Sequence, residues 1–293
     1  MDHFSYRDGI LHAEDVPLPA IAEAVGTPVY IYSRATFERH ARVFREGLSG
    51  IKDKRIAFAI KSNPNLAVLN VLAREGYGAD VVSGGEMARA LAAGVPADGI
   101  VFSGVGKSAE EISAALDAGI GQINAESPQE VEAISQIAAA RGVQAPVALR
   151  VNVDVAPKTH AKISTGQRST KFGVSTSQNE AADLYRKMAA DPHIRPAGLA
   201  VHIGSQILEL DPFERAYSAL LSFGTVLRDE GLEVPVLDLG GGIGVDYQDG
   251  TPTDFNAYGE LVSRLFADSG FRLGFEPGRS IVANNGVLLT RVI

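Results

Sequence analysis

The chain has 293 residues, of which 45% are hydrophobic and 21% are charged. This composition supplies enough apolar surface for a packed core and excludes a disordered chain. Lys and Arg number 27 against 35 Asp and Glu, which gives a formal net charge of −8. No basic run accompanies this acidic balance, so we expect neither nucleic acid nor a membrane surface as a partner.

The cysteine and histidine content narrows the chemistry further. The sequence contains no Cys, which excludes disulfides, iron–sulfur clusters and thiolate zinc sites. Its six His residues show no paired spacing of the kind that binds a metal, so no metal is expected. The first residues are polar, without a signal-peptide apolar stretch, and no run approaches about 18 apolar residues. The expected compartment is therefore the cytoplasm.

The apolar pattern predicts alternating strands and helices from residue 56 onward. Eight short runs rich in β-branched residues are typical of strands: 56–60, 78–82, 100–102, 122–124, 146–153, 197–203, 235–239 and 272–275. Helical patterns cover 66–75, 85–93, 109–117, 128–141, 180–190, 212–230 and 254–269. Continuously apolar strands indicate parallel pairing with both faces buried. Eight such units predict an α/β fold, a (β/α)8 TIM barrel, rather than an open sheet.

Two segments lie outside this alternation. Residues 27–32 predict an extra strand that joins a sheet from elsewhere in the fold. The polar segment 154–171 follows the fifth predicted strand and is either a surface loop or a loop that covers a site.

The candidate functional residues follow the predicted strands, because barrel active sites lie at the carboxyl ends of the strands. They are Lys61, Ser83, Ser103, His202, Ser205, Gly240, Gly241, Gly242, Glu276, Pro277, Gly278 and Arg279. Together they predict a cavity with an amine, an imidazole, a carboxylate, a guanidinium and a glycine-rich cradle for an anion.

Four of these features have an ordinary alternative role. Desolvation and nearby cations would lower the pKa of Lys61 and make its amine nucleophilic, unless it is a solvated lysine on the rim. The run 240–244 either binds phosphate through backbone N–H groups or forms a tight turn. His202 either stacks on a flat cofactor, acts as an acid or base, or is hydrogen-bonded into the rim.

Glu276 either pairs with Arg279 in a turn or holds a protonated pyridine nitrogen. A lysine amine, a phosphate cradle and a partner for a pyridinium in one cavity indicate pyridoxal 5′-phosphate as the cofactor.

Six segments of the chain resemble the diaminopimelate decarboxylase family, which belongs to the alanine-racemase-like, fold type III pyridoxal-phosphate enzymes. They are AIKSNPN at 59–65, GADVVSGGEMARALAAGV at 78–95, HAKISTGQRSTKFGV at 160–174, HIGSQ at 202–206, DLGGGIG at 238–244 and EPGRSIVANNG at 276–286. HIGSQ together with ISTGQRSTKFGV separates this resemblance from the related ornithine and arginine decarboxylases.

This resemblance implies decarboxylation of meso-2,6-diaminopimelate to L-lysine and CO2, the last step of lysine biosynthesis, in a homodimer. It implies that Lys61 binds the cofactor as a Schiff base, that His202 stacks on the cofactor ring, and that Glu276 pairs with the pyridine nitrogen. Asp80 and Glu86 resemble supporting residues near the ring. The residues implied in binding the phosphate are Ser205, Gly240, Gly241, Gly242, Pro277 and Gly278, with Arg279 contacting cofactor and substrate carboxylate.

The resemblance also predicts the domain organisation. Family members continue into a C-terminal β domain that completes a sheet with the N-terminal segment and supplies a cysteine, tyrosines and acidic residues to the site across a dimer interface. The sequence ends at Ile293, so we expect residues 1–35 to belong to the β domain, 36–280 to form the barrel, and 281–293 to begin a truncated C-terminal domain.

Without those residues, we expect this chain alone to decarboxylate poorly. The alternative is a barrel that binds pyridoxal phosphate without decarboxylase activity. A phosphate-binding barrel without a Schiff base is a third possibility, which rests on fold analogy only.

Overall fold

The computed structural model describes residues 3–155, 172–176, 179–247 and 254–293. Its strands are β1 (Phe4–Arg7), β2 (Ile10–Ala13), β3 (Val16–Pro17), β4 (Val29–Tyr32), β5 (Lys54–Ala59), β6 (Gly78–Val81), β7 (Ile100–Phe102), β8 (Gln122–Ala125), β9 (Ala145–Asn152), β10 (Val174–Ser175), β11 (Ile194–Ala200), β12 (Val236–Asp238), β13 (Arg272–Phe275) and β14 (Gly286–Leu289).

The α-helices are α1 (Leu18–Val25), α2 (Arg34–Gly47), α3 (Leu66–Arg74), α4 (Gly84–Ala92), α5 (Ala109–Ala118), α6 (Pro128–Arg141), α7 (Glu180–Ala190), α8 (Asp211–Asp229), α9 (Phe255–Phe266) and α10 (Arg279–Val282).

Eight parallel strands close into the predicted barrel. Their order is β9-β11-β12-β13-β5-β6-β7-β8, and pairing of β8 with β9 completes the ring. Each of the eight predicted strands overlaps one of these strands, and each of the seven predicted helices is confirmed to within three residues at its ends. The main apolar core lies between the barrel and its surrounding helices.

Local signals place the helix ends. The hydroxyl of Ser108 accepts the Glu111 N–H at the start of α5, while the Glu111 carboxylate accepts the Ser108 N–H. This reciprocal pair is a capping box. The same helix ends at Gly119, whose φ of 69° lies in the left-handed region that glycine adopts without strain.

Helix α2 is absent from the sequence-based prediction. Its hydrophobic residues Phe37, Ala41 and Phe44 are buried at helical spacing, and the helix contacts α3, α9 and α10. The prediction missed this helix although its apolar residues recur at regular helical spacing with charged residues between them. The hydroxyl of Ser33 begins the helix by accepting the Thr36 N–H.

The predicted extra strand is confirmed as β4, which pairs antiparallel with β14 near the C-terminal end. A small apolar cluster of Ala13, Leu18 and Ile31 packs beneath this N-terminal region. The pairing joins the first and last parts of the chain, whereas the proposed domain boundaries at 35 and 280 stay a prediction.

Most of the polar segment 154–171, and with it most of the motif at 160–174, lies outside the described residues. Among the described helices, none has the length and the apolar sequence that a membrane span requires.

The contact between α2 and α9 generates a stability prediction. A Cβ atom on Gly259 would overlap the carbonyl oxygen of Gly47, so the backbones of the two helices are in direct contact there. We expect Gly259→Ala to lower the free energy of unfolding by about 1–3 kcal/mol, the usual cost of overpacking. Urea denaturation of the variant and the parent protein measures this difference.

Gly85→Ala is the matched control, because the nearest atom to its new Cβ is the Ser83 hydroxyl at 3.8 Å. Its stability should be unchanged or about 0.4–1 kcal/mol higher. Equal stability losses in both variants would contradict the close-contact explanation.

Candidate active site

A cavity of about 560 Å³ lies at the carboxyl ends of the barrel strands. Its walls come mainly from the segments that follow β5, β6, β11, β12 and β13, which are consecutive neighbours in the closed sheet. The lining residues are Ala59, Lys61, Ser62, Asp80, His202, Ser205, Gly242, Ile243, Tyr247, Glu276, Gly278, Arg279, Val282 and Ala283.

Lys61 enters this cavity from a single 3-10 turn (Ile60–Ser62) that follows β5. Its Nζ donates to Oδ2 of Asp80 at 3.1 Å, and Asp80 is fully buried on β6. The negative charge of Asp80 raises the pKa of Lys61 above its ordinary value, although desolvation opposes this effect even with half of the side chain exposed. The expectation of a lowered pKa is therefore wrong, because the negative charges of Asp80 and Glu276 outweigh desolvation and the positive charge of Arg150.

Glu276 follows β13 directly and is 8% exposed. Burial raises the pKa of its carboxyl group well above the usual range, and the negative charges of Asp238 and Asp80 add to this shift. Its Oε1 is buried and has no hydrogen-bond partner among the described residues.

The alternative in which Glu276 pairs with Arg279 is not found. Within the described ranges no ion pair joins the two side chains, although both line the same cavity. Nε of Arg279 is itself buried without a partner in the described structure, and its Nη1 lies 3.3 Å from the Tyr247 hydroxyl. Glu276 and Arg279 therefore line one cavity without forming an ion pair with each other.

His202 is held in one tautomer by the glycine run. The Gly241 N–H donates to Nδ1 of His202 at 3.2 Å, so the proton of a neutral ring lies on Nε2. Burial lowers the pKa of His202 well below its usual value, and the positive charges of Arg150 and Lys61 act in the same direction. The imidazole therefore presents a neutral ring at physiological pH.

The three glycines 240–242 are required by close backbone packing. Gly240 and Gly242 have φ values of 67° and 109°, which disfavour other residues. A Cβ on any of the three would overlap a carbonyl oxygen of a neighbouring loop. The oxygen is that of Val201 for Gly240, that of Glu276 for Gly241 and that of Gly204 for Gly242. The run therefore brings the loops after β11, β12 and β13 together, and Gly242 alone of the three lines the cavity.

Other predicted residues divide between the cavity and its surroundings. Ser205 and Gly278 line the cavity, while Pro277 supports it through its carbonyl oxygen, which accepts the Ala59 N–H at 3.0 Å. Ser83 and Ser103 do not line the cavity: the hydroxyl of Ser83 caps α4, and that of Ser103 accepts the Asn124 amide at 3.0 Å.

Glu86 lies behind the cavity rather than in its wall. Its Oε2 accepts the Val82 N–H at 2.8 Å. Burial raises the pKa of Glu86 above its ordinary value, and the negative charge of Asp80 adds to this shift.

Tyr247 is a lining residue that the sequence analysis does not identify. It follows the glycine run in the same loop, and its side chain contacts Arg279 through the hydroxyl. A single tyrosine in a polar loop forms no recognisable motif. Its position shortly after the glycine run is the only sequence signal that could have identified it.

Comparison with known proteins defines the class. The profile of the family "Pyridoxal-dependent decarboxylase, pyridoxal binding domain" matches residues 34–283. The diaminopimelate decarboxylase of Zymomonas mobilis is 49% identical over 294 residues, which cover 99% of this chain and 69% of that protein. That of Pseudomonas aeruginosa is 47% identical over 292 residues, covering 100% and 70%. The chain belongs to the diaminopimelate decarboxylase family of pyridoxal-dependent enzymes.

Solved structures agree with this assignment. The structure of diaminopimelate decarboxylase from M. jannaschii in co-complex with L-lysine has a TM-score of 0.91 and 34% identity, covering 98% of this chain and 70% of that chain. The Helicobacter pylori enzyme complexed with L-lysine has a TM-score of 0.88 and 36% identity, with 92% and 68% covered. The predicted barrel fold and family are confirmed.

The burial of Glu276 predicts a pH-dependent stability. Its pKa is higher in the folded than in the unfolded protein, so the native state binds more protons and the free energy of unfolding falls as pH rises above the ordinary Glu value. Glu276→Gln removes this penalty. In cofactor-free protein, we expect the stability gained by the variant to be larger at about pH 8 than at about pH 4.

Urea denaturation at both pH values tests this expectation, with the exposed Glu260→Gln as control. A gain for Glu276→Gln that does not increase with pH, or one matched by the control, would show that burial of Glu276 imposes no such penalty.

Proposed function

We propose that this chain forms the cofactor-binding barrel of an enzyme that decarboxylates meso-2,6-diaminopimelate to L-lysine and CO2. Membership of the diaminopimelate decarboxylase family supports the reaction, and two relatives of known structure have L-lysine bound. The observation that carries the proposal is the presence in one cavity of Lys61, bonded to Asp80, and a buried Glu276 oxygen without a partner.

The cavity fits pyridoxal 5′-phosphate. Oε1 of Glu276 and Oδ1 of Asp80 are both buried, and neither has a hydrogen-bond partner within the described residues. A buried carboxyl group without a partner is costly, so the site favours a ligand that offers a hydrogen-bond partner or, for the ionised form, a positive charge. A protonated pyridine nitrogen meets this need at Glu276, while the amine of Lys61 is the group that can bind the cofactor's carbonyl carbon.

The other proposed contacts follow the predicted site. We propose that the neutral ring of His202 stacks on the cofactor. Its orientation is fixed by the Gly241 N–H, and its low pKa avoids adding a positive charge there. The proposed phosphate contacts are Ser205, Gly240, Gly241, Gly242, Pro277, Gly278 and Arg279. Gly240 and Gly241 contribute mainly by packing the loops that form this part of the cavity.

Different residues of the chain stabilise the different charges of the proposed reaction. Pyridoxal phosphate, when bound, supplies an electron sink for the pair of electrons left on Cα after CO2 departs. Glu276 holds the proton on the ring nitrogen, and burial strengthens this charge-assisted contact. Asp80 holds the Lys61 ammonium and is the hydrogen-bond acceptor for a proton that Nζ must release before it can act as a nucleophile.

Arg279 is the proposed binding group for the substrate carboxylate. Its Nε has no partner among the described residues, which leaves a guanidinium N–H available to an anionic ligand. The Tyr247 hydroxyl contacts Nη1 of the same guanidinium and thereby restricts its rotation.

The remaining proposals concern the compartment, the oligomeric state and the domain organisation of the protein. We propose a cytoplasmic homodimer, with residues 1–35 and 281–293 as parts of one β domain beside the barrel at 36–280. The antiparallel pairing of β4 with β14 supports grouping these two segments, because it places them in one sheet. The expectation that this chain alone decarboxylates poorly stays a prediction.

Lys61→Ala tests the cofactor assignment. We expect the wild-type chain with pyridoxal phosphate to give a borohydride-stable adduct on the peptide that contains Lys61, because this amine alone lies in the described cavity wall. The variant should give none, as measured by mass spectrometry. Lys54→Ala, at the opposite end of β5, is the control and should keep the adduct.

An adduct on a different lysine would contradict the assignment. An adduct on Lys61 without CO2 release from meso-diaminopimelate, in a protein that also carries the family's C-terminal domain, would support the alternative barrel without decarboxylase activity.

Glu276→Gln tests the contact with the ring nitrogen. A charge-assisted hydrogen bond contributes about 1.5–3 kcal/mol, which corresponds to about one to two orders of magnitude in rate. In a protein with the C-terminal domain, we expect the rate of CO2 release at saturating cofactor to fall at least about tenfold. The Lys61 adduct should persist, and an unchanged rate would show that another group holds the ring.

A further inference from the structure

We propose that Asp238, at the carboxyl end of β12, is a positioning residue that fixes the glycine run 240–242 and through it orients His202 and Glu276. The inference rests on the proposed function, since the two residues that it orients are the proposed contacts of the cofactor ring. Asp238 itself does not line the cavity.

Both carboxylate oxygens of Asp238 are held. Oδ1 accepts the Gly240 N–H at 3.1 Å, and Oδ2 accepts a hydrogen bond from Nη2 of Arg55 at 3.0 Å. The Nε2 of Gln122 lies 3.4 Å from the same Oδ2. Only 1% of the Asp238 side chain is exposed, so its carboxylate has a fixed orientation inside the barrel and is not solvated.

The neighbouring strand leaves room for this carboxylate. A Cβ atom on Gly274 of β13 would lie 2.7 Å from Cγ of Asp238. Gly274 does not have a left-handed backbone, so its conformation does not by itself require glycine. The space occupied by the Asp238 carboxylate is what excludes a side chain there.

The contacts of the glycine run connect Asp238 to both target residues. The Gly240 carbonyl oxygen accepts the Glu276 N–H at 2.8 Å. The next residue, Gly241, donates its N–H to Nδ1 of His202 at 3.2 Å. Because Gly240 has a left-handed backbone packed against the Val201 carbonyl, a shift of this peptide would move both contacts together.

Arg55 makes the burial of Asp238 possible. Burial raises the pKa of Asp238, whereas the positive charge of Arg55 opposes this shift. The same Nη2 donates to Oε1 of Gln122 at 2.8 Å, and Gln122 donates to Asn124 at 2.6 Å. The network ends at Ser103, which accepts from Asn124. It ties β5, β8, β12 and the residue after β7 together across the barrel interior.

Two double variants separate the hydrogen bond from the charge. Arg55→Met combined with Asp238→Asn removes both charges and keeps an oxygen that can accept the Gly240 N–H. Arg55→Met combined with Asp238→Leu has a side chain of similar size without that acceptor. Replacement of a buried ion pair by neutral residues of similar volume is often tolerated, so the Asn variant should fold.

The first readout uses cofactor-free protein. Amide hydrogen exchange at Gly241 and the 15N shift of His202 Nδ1, both measured by NMR, report the bond between these residues directly. We expect the Leu variant to exchange at Gly241 at least about tenfold faster, with a shifted Nδ1 signal, because a lost local bond lowers protection. The Asn variant should stay within about threefold of the wild type.

Arg45→Met is the control, because Arg45 pairs with Glu75 at 3.1 Å and contacts neither Asp238 nor the glycine run. It should leave both NMR signals unchanged. The proposal is overturned if the Leu variant keeps wild-type exchange, if the Asn variant exchanges at least tenfold faster than wild type, or if Arg45→Met changes exchange as much as the Leu variant.

The second readout is the affinity for pyridoxal 5′-phosphate, measured by absorbance titration. We expect the Leu variant to bind at least about tenfold more weakly, or about 1.4 kcal/mol. The Asn variant should stay within about threefold of wild type. If the wild-type chain itself fails to bind the cofactor, the proposed function fails, whereas the NMR comparison still decides the role of Asp238. Loss of the Gly241 bond with unchanged affinity would overturn its role at the proposed cofactor site.

Discussion

Three carboxyl groups buried at one end of the barrel govern the electrostatics of this protein. Asp80, Asp238 and Glu276 are each at most 8% exposed, and the charges of the first two raise the pKa of the third. Asp80 has the Lys61 ammonium as its partner, and Asp238 has the Arg55 guanidinium. Glu276 forms no ion pair among the described residues and its Oε1 has no hydrogen-bond partner there, so it is the carboxyl group available to a protonated nitrogen of a ligand.

Closure of the sheet is what brings these groups together. Lys61, Asp80 and Glu276 come from the ends of β5, β6 and β13, which are neighbours in the barrel although β13 is far away along the chain. His202 and the glycine run follow the next two strands in the ring. The carboxyl ends of parallel strands share one face, so five adjacent strands deliver the whole candidate site.

The glycine run shows how one motif serves more than one physical purpose. As an anion cradle, it needs only backbone N–H groups that converge on a ligand. In the structure, its N–H groups also bind Asp238 and His202, and its missing side chains let three loops pack at backbone distance. The glycine spacing in the sequence therefore predicts a loop that contributes Gly242 to the cavity, but it does not reveal that the run also makes internal contacts.

The sequence by itself determined the barrel, its eight strands, the strand β4 outside it and the set of residues at the strand ends. These features depend on local apolar periodicity, capping residues and motif spacing, all of which act over short stretches of chain. The motifs also carried the family resemblance, because the segments at 59–65, 202–206, 238–244 and 276–286 preserve residue types in fixed local order.

The tertiary structure alone decided the electrostatic state of the site and the partners of its residues. The raised pKa of Lys61 depends on Asp80, a residue on the adjacent strand, and no local pattern indicates that this carboxylate outweighs desolvation. The contact of Tyr247 with Arg279, the network from Arg55 to Ser103 and the space that Gly274 leaves for Asp238 likewise join residues that are distant in sequence. Charge interactions and packing depend on distances in the folded barrel, and the linear order of residues does not specify them.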